Sequence, residues 1–117
     1  MADVEMKPIS RLLIANRGEI ARRIIRTAHE MGIATVAIYA NGDANAPFVR
    51  EADSAVALSG ETSAETYLDV DKVLAACNDT DADAVHPGYG FLSENAAFAR
   101  AVMDAGMQWV GPSPEAI

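Results

Sequence analysis

The sequence predicts an α/β fold: a parallel sheet of about five strands with helices on both faces. Three observations carry this. Short, continuous apolar runs such as Leu12-Leu13-Ile14-Ala15 and Val36-Ala37-Ile38 have the pattern of strands buried on both faces, not of strands with one wet face. Between the runs lie segments whose apolar residues recur every three or four positions, as on an amphipathic helix. The two kinds of segment alternate, and strand–helix–strand alternation builds a parallel sheet covered on both sides. A chain of 117 residues is one domain by length.

Residues 1–10 read as a flexible leader, and the domain is expected over 11–117. Arg11 to Ala15 is the first strand. Asn16-Arg17-Gly18-Glu19 follows, then a helix to Met31, with Gly32 as its C-terminal cap. Ala34 to Tyr39 is the second strand and 40–46 a polar loop. Pro47 to Ala52 forms a short helix with proline in its first turn. Ala55 to Leu58 is the third strand. A turn-rich stretch from Ser59 to Tyr67 leads to a helix from Asp69 to Asn78, with Asp69 as N-cap. Ala82 to His86 is the fourth strand. Ser93 is expected to cap a helix running to Ala105, and Gln108-Trp109-Val110 is the last strand. If the strand order is 3-2-1-4-5, strands one and four flank the topological switch point, where ligands of such sheets bind.

The loop after strand four is unusual for a connector. Pro87 fixes φ and removes a donor. Gly88 and Gly90 permit positive φ and close approach. Tyr89 and Phe91 stand among them in a chain that is only 6% aromatic. Each ring can cap the core or line a site, and both readings stay open. Tyr89 sits between two glycines, so its ring must be positioned by neighbours such as Phe91. His86 ends a buried strand and reads as a hydrogen-bonded structural histidine.

The first helix start lacks the G-x-G-x-x-G of a dinucleotide site; only Gly18 is present, and Glu19 puts negative charge where phosphate would sit. Asn16 and Glu19 fit a capping box instead, leaving Arg17 free for an outward contact. On the helix, Ile20, Ala21, Ile24, Ala28 and Met31 share the face expected to meet the sheet, flanked by Ile25. Glu19, Arg23, Arg26 and Glu30 form the opposite stripe, with Glu19–Arg23 and Arg26–Glu30 as i,i+4 pairs. That stripe is either a solvated face or a two-fold contact in which Arg26 meets Glu30 of a second copy. His29 reads as inert. Asp79-Thr80-Asp81-Ala82-Asp83 lacks the glycine and the final glutamate of a calcium loop and reads as a solvated turn. No catalytic residue and no metal ligand is assigned.

Nine Lys and Arg against 17 Asp and Glu give a net charge of −8. This argues against nucleic acid or an anionic membrane as a general partner. Neither lysine, Lys7 or Lys72, lies in a glycine-rich loop. The single Cys77 excludes an internal disulfide and falls at a buried helical position. The acidic amino terminus is neither a signal nor a transit peptide, and no apolar stretch reaches the ~20 residues of a membrane span. A cytoplasmic location is expected.

His86-Pro87-Gly88-Tyr89-Gly90-Phe91-Leu92-Ser93-Glu94-Asn95 resembles, residue for residue, a signature of biotin carboxylases. Ile14-Ala15-Asn16-Arg17-Gly18-Glu19-Ile20-Ala21 resembles the signature that opens the same family's amino-terminal domain, and Val110-Gly111-Pro112-Ser113-Pro114 resembles its close. The resemblance covers about 11–117. It implies a Rossmann-like domain that precedes an ATP-grasp and a carboxy-terminal domain, both absent from this chain. The complete enzyme would carboxylate biotin on a carrier using ATP, Mg²⁺ and bicarbonate, and the fragment alone would be inactive and bind no cofactor tightly. By the same resemblance Tyr89, Gly90 and Phe91 line the biotin site. Arg23, Arg26 and Glu30 lie at a homodimer face, and a biotin carboxyl carrier and a carboxyltransferase are partners. Ala46-Pro47-Phe48-Val49-Arg50-Glu51-Ala52-Asp53 looks most like acyl-CoA carboxylase alpha chains, of acetyl or propionyl type, as in fatty acid metabolism. Pyruvate and urea carboxylases share both main signatures, and a non-catalytic Rossmann-like interaction module is the remaining alternative.

Overall fold

The computed structural model describes residues 8–117. Of the leader expected over 1–10, residues 1–7 lie outside the described residues. Next to them Ile9 packs beside the core, and the Ser10 carbonyl accepts from Ala34 N–H at 3.1 Å. The strands are β1 (Arg11–Ile14), β2 (Ala34–Tyr39), β3 (Ser54–Ala57), β4 (Ala84–His86) and β5 (Gln108–Trp109). They form one five-stranded sheet in the order β3-β2-β1-β4-β5, every neighbouring pair parallel. The order assumed from the sequence is thus the observed one. In register, Ile14 at the end of β1 lies beside His86 at the end of β4, so the two following loops leave the sheet side by side.

The helices are α1 (Gly18–Glu30), α2 (Pro47–Glu51), α3 (Val70–Thr80) and α4 (Ala96–Asp104). Alternation along each strand sends side chains to opposite faces. Leu12, Ile14, Ala37 and Ala84 pack with Ala21, Ile25, Ala28 and Phe48 of α1 and α2. On the other face Leu13, Val36, Ile38 and Val85 pack with Val73, Ala76, Cys77, Phe98 and Val102 of α3 and α4. Phe98 meets Trp109 edge-on, with ring centroids 5.6 Å apart. Cys77 is buried, and burial pushes its thiol up to about 12, so it is the inert thiol expected.

Local chemistry sets the element ends. Asp69 caps α3, accepting from Lys72 N–H at 3.1 Å. Gly32 ends α1 at φ +76°. Its N–H bonds to the His29 carbonyl and that of Ile33 to Ala28, the paired bonds of a Schellman motif.

Five local expectations are corrected. Helix α4 starts at Ala96, and Asn95 caps it by accepting from Phe98 N–H at 2.9 Å. Ser93 lies instead in a 3₁₀ turn over Phe91–Glu94. Met31 is 68% exposed, because α1 turns Ala21, Ile25 and Ala28 to the sheet and leaves Ile20 and Ile24 on its flank. Among the described residues Arg26 and Glu30 form no ion pair. Arg22 reaches Glu51 on α2 at 2.9 Å, and Arg23 reaches Glu19 at 3.5 Å. His29 is not idle. Its Nε2 lies 3.2 Å from both Thr35 Oγ1 and Asp53 Oδ2, and Asp53 also accepts from Thr35 N–H. Asp83 is no bystander in a solvated turn. Its carboxylate accepts from the Ser10 and Arg11 N–H groups at 2.9 and 3.0 Å, fixing the start of β1. No helix among the described residues is long and apolar enough to cross a membrane.

Candidate functional site

The site is built at the carboxyl ends of β1 and β4, the switch point of the sheet. The ladder runs one step past the strands, with Ala15 N–H donating to the His86 carbonyl at 2.9 Å. The next residue is Asn16, 1% exposed. Its Nδ2 donates to the carbonyls of Pro87 at 2.8 Å and Tyr89 at 2.6 Å. Its Oδ1 accepts from Arg17 N–H at 2.8 Å. Both amide protons and the amide oxygen are therefore used. This replaces the capping box. The α1 N-cap is Arg17, with no side-chain cap, and Asn16 is committed to the β4 loop.

That loop is wound tightly. Gly88, Gly90 and Phe91 have φ of +63°, +68° and +49°. A side chain at Gly88 would bring its Cβ to 2.8 Å from both Asn16 Nδ2 and Ile20 Cγ2, so only glycine lets the loop lie against α1. Gly90 faces open space and needs glycine for its dihedral alone. His86 Nδ1 accepts from Gly88 N–H at 3.1 Å. Burial holds the imidazole below its ordinary pKa, which keeps it a neutral acceptor. His86 is thus the structural histidine expected.

The winding sends the two rings to different sides. Tyr89 is 80% exposed and forms one wall of an open cleft of about 490 Å³. Ile20, Arg23, Ile24, Pro87 and Pro112 also line the cleft. Phe91 turns the other way, is half-buried against the α3–α4 core, and meets the ring of Tyr67 at 5.4 Å and 51°. Phe91 therefore pairs its ring with Tyr67 and not with Tyr89, and the bond from Asn16 to the Tyr89 carbonyl holds the loop backbone beneath Tyr89. Of the residues singled out by resemblance, Tyr89 and Arg23 share the cleft. Gly90 lies exposed at the loop tip, and Arg26 and Glu30 lie exposed farther along α1. Among the described residues no group of His, Cys, Asp and Glu could hold a metal ion.

Sequence reasoning missed a second cluster beside the loop. Arg17 does not reach outward freely. Its Nε and a terminal nitrogen each donate to Asp43 at 2.7 Å. Tyr67 Oη donates to Asp43 Oδ2 at 2.6 Å and accepts from Ala40 N–H at 3.0 Å. The Arg17 hydrogen bond, chiefly, holds the Asp43 carboxyl below its ordinary range. Burial, then Asp43, pushes the Tyr67 phenol up. No local pattern could have shown this, since the partners lie 24 and 26 residues apart.

Asn16→Asp tests the amide's role at constant shape. The carboxylate would face the Pro87 and Tyr89 carbonyls with acceptors only. The variant is expected to lose about 3 kcal/mol or more of unfolding free energy in urea at pH 7. A loss within about 0.5 kcal/mol, the range of neutral surface changes, would contradict the assignment.

Residues 8–117 match the family described as biotin carboxylase, N-terminal domain. The chain is 56% identical, over its whole length, to the biotin-dependent acyl-coenzyme A carboxylase alpha3 subunit of Mycobacterium leprae, of which it covers 20%. It is 55% identical over 95% of its length to the urea amidolyase of Lachancea kluyveri, covering 6% of that protein. The crystal structure of Kluyveromyces lactis urea carboxylase superposes on 95% of the chain with a TM-score of 0.91 at 51% identity, and the match covers 10% of that structure's chain. The chain thus spans a fifth or less of these relatives. The match over all of the described residues establishes that the chain belongs to the biotin carboxylase N-terminal domain family.

Proposed function

We propose that this domain supplies one wall of the biotin site in a cytoplasmic, multidomain biotin-dependent carboxylase, of acyl-CoA type. The observation that carries the reading is the exposed Tyr89 ring, held over an open cleft by a loop that is itself pinned at backbone level. An exposed ring costs side-chain freedom when ordered and contributes nothing to the core. A flat ring face suits the flat bicyclic ureido system of biotin, and Gly90 lets a ligand approach the backbone. Phe91 belongs to this site as the support behind the loop. The domain brings no lysine-bearing phosphate loop, so ATP, Mg²⁺ and bicarbonate are assigned to the domains that accompany it in its relatives. The carrier-bound biotin and the carboxyltransferase are the partners of the complete enzyme. The acyl-CoA assignment rests on the similarity to the Mycobacterium leprae alpha3 subunit and on Ala46 to Asp53. The near-equal identity to urea amidolyase keeps urea carboxylation as the second reading.

Tyr89 acts by packing, and among the described residues no hydrogen bond reaches its hydroxyl. In the full-length carboxylase, Tyr89→Phe is expected to keep most activity. Tyr89→Ala is expected to raise the KM for biotin about tenfold, the loss of roughly 1.4 kcal/mol of ring contact, with little change in the KM for ATP or in the melting temperature. Equal damage in both variants would show that the hydroxyl matters. The 117-residue chain alone is expected to give no biotin-dependent ATP turnover.

The exposed stripe of α1 is proposed as a homodimer face, in which Arg26 of each copy meets Glu30 of the other. Among the described residues Arg26 and Glu30 form no ion pair with each other, and both side chains are exposed on this stripe. Arg26→Glu should weaken the full-length dimer in sedimentation, and Arg26→Glu with Glu30→Arg should partly restore it, as a coupled pair requires. Equal dimer strength in all three proteins would make the stripe a solvated face.

A further inference from the structure

The loop that carries Tyr89 is gripped from two sides. Asn16 holds the backbone of Pro87 and Tyr89 on the α1 side. On the other side the grip is a ring contact, Phe91 on Tyr67 at 5.4 Å. Phe91 sits at φ +49°, a conformation that a bulky side chain holds only when its surroundings impose it. Tyr67 is the ring it leans on, so whatever fixes Tyr67 fixes the carboxyl end of the loop.

Tyr67 is fixed by three other segments. Its hydroxyl accepts from Ala40 N–H just past β2 and donates to Asp43 in the following 3₁₀ turn. Asp43 in turn receives two bonds from Arg17, at the N-cap of α1. Arg17 is the residue next to Asn16, so the chain of contacts closes on the residue that grips the loop from the opposite side. The fork-to-carboxylate geometry restrains rotation as well as distance. Tyr67 is 2% exposed, so it has no room to swing once the hydroxyl is tied. The bonds to Asp43 use both of its oxygens, and no hydrogen bond from Arg17, Asp43 or Tyr67 reaches Tyr89 or the cleft.

We propose that Arg17, Asp43 and Tyr67 are positioning residues for the biotin-facing loop: they set the Tyr67 ring, which holds Phe91 in its left-handed conformation and so sets where Tyr89 stands. None of the three contacts the ligand in this scheme, and the proposal rests on the reading of the Tyr89 cleft as the biotin site. The alternative is that the cluster merely ties loops together and contributes to stability alone.

Kinetics in the full-length carboxylase separates the two. Asp43→Asn keeps the shape and breaks the two-pronged bond to Arg17. Tyr67→Phe keeps the ring and removes the hydroxyl, and Tyr67→Leu removes the ring. Displacing a positioned group by about 1 Å costs up to about 100-fold. Asp43→Asn and Tyr67→Leu are therefore expected to raise the KM for biotin about tenfold, with the KM for ATP within about twofold. Tyr67→Phe should fall between them and the parent. Melting curves on each variant set an assay temperature at which all are folded, and if Tyr67→Leu does not fold, Asp43→Asn carries the test. An unchanged biotin KM in Asp43→Asn, whatever its melting temperature, overturns the proposal, as does an equal rise in both KM values. Tyr89→Ala run alongside tells which idea failed. If it raises the biotin KM while Asp43→Asn does not, only the positioning role is wrong. If it too is normal, the biotin-site reading falls as well.

Discussion

The arrangement depends on one side-chain amide. Asn16 stands where β1 ends, buried, with two donors and one acceptor to satisfy. It satisfies them across the switch point, on the Pro87 and Tyr89 carbonyls and on the Arg17 N–H. Each buried amide donor or acceptor left unsatisfied would cost on the order of 1–3 kcal/mol. The β4 loop therefore cannot move away from β1 without stranding polar atoms on both sides. Parallel pairing of β1 with β4 brings the two loops together, and the amide turns that proximity into a fixed geometry.

The rest of the loop follows from this restraint. Its backbone must fold back far enough for two carbonyls to face one amide. This requires left-handed residues, and glycine fills two of the three such positions. At Gly88 there is a second reason, since the Asn16 amide and Ile20 occupy the space a Cβ would take. Phe91 is the exception, a large residue in a conformation that suits glycine. Its ring contact with Tyr67 offsets the strain and anchors the loop to the opposite core. The consequence is a loop with its backbone held on one face, one ring buried on the other, and a single ring, Tyr89, left in the open. Rigid surroundings around one exposed aromatic are what a packing surface for a flat ligand needs.

The fold was legible in the sequence because doubly covered parallel strands appear as short unbroken apolar runs, and those runs stand at nearly the observed positions. The Asp69 cap and the Gly32 turn were legible because each is a local device, completed within a few residues. What was not legible was every interaction completed far along the chain. Asn16 and Glu19 match a capping box by spacing, but spacing does not reveal that a carbonyl from residue 87 or 89 competes for the amide. Ser93 and Asn95 are both competent caps, and the 3₁₀ turn over Phe91–Glu94 decided in favour of Asn95. Met31 lies on the apolar arc of α1, yet the helix rolls so that Ala21, Ile25 and Ala28 meet the sheet, the two alanines permitting close approach around the buried Ile25. Of the candidate site, the loop was visible in the sequence, but which of its two rings would stand exposed was left open by the residues alone. The Asp43–Tyr67 support was not visible, since its members carry no motif and come together only through the crossovers.

The family relationship gives this geometry its context. The same fold recurs in carboxylases named for urea, long-chain acyl-CoA and pyruvate, and the proposed biotin wall would serve a step common to them. Biotin is common to these enzymes, and the acceptor is not. The most direct measurement is a crystal structure of the full-length carboxylase with biotin bound. The bicyclic ring is expected within about 4 Å of the Tyr89 side chain, with Asn16 still bonded to the Pro87 and Tyr89 carbonyls. Biotin bound away from a solvent-facing Tyr89, or a loop released from Asn16 to receive it, would contradict it.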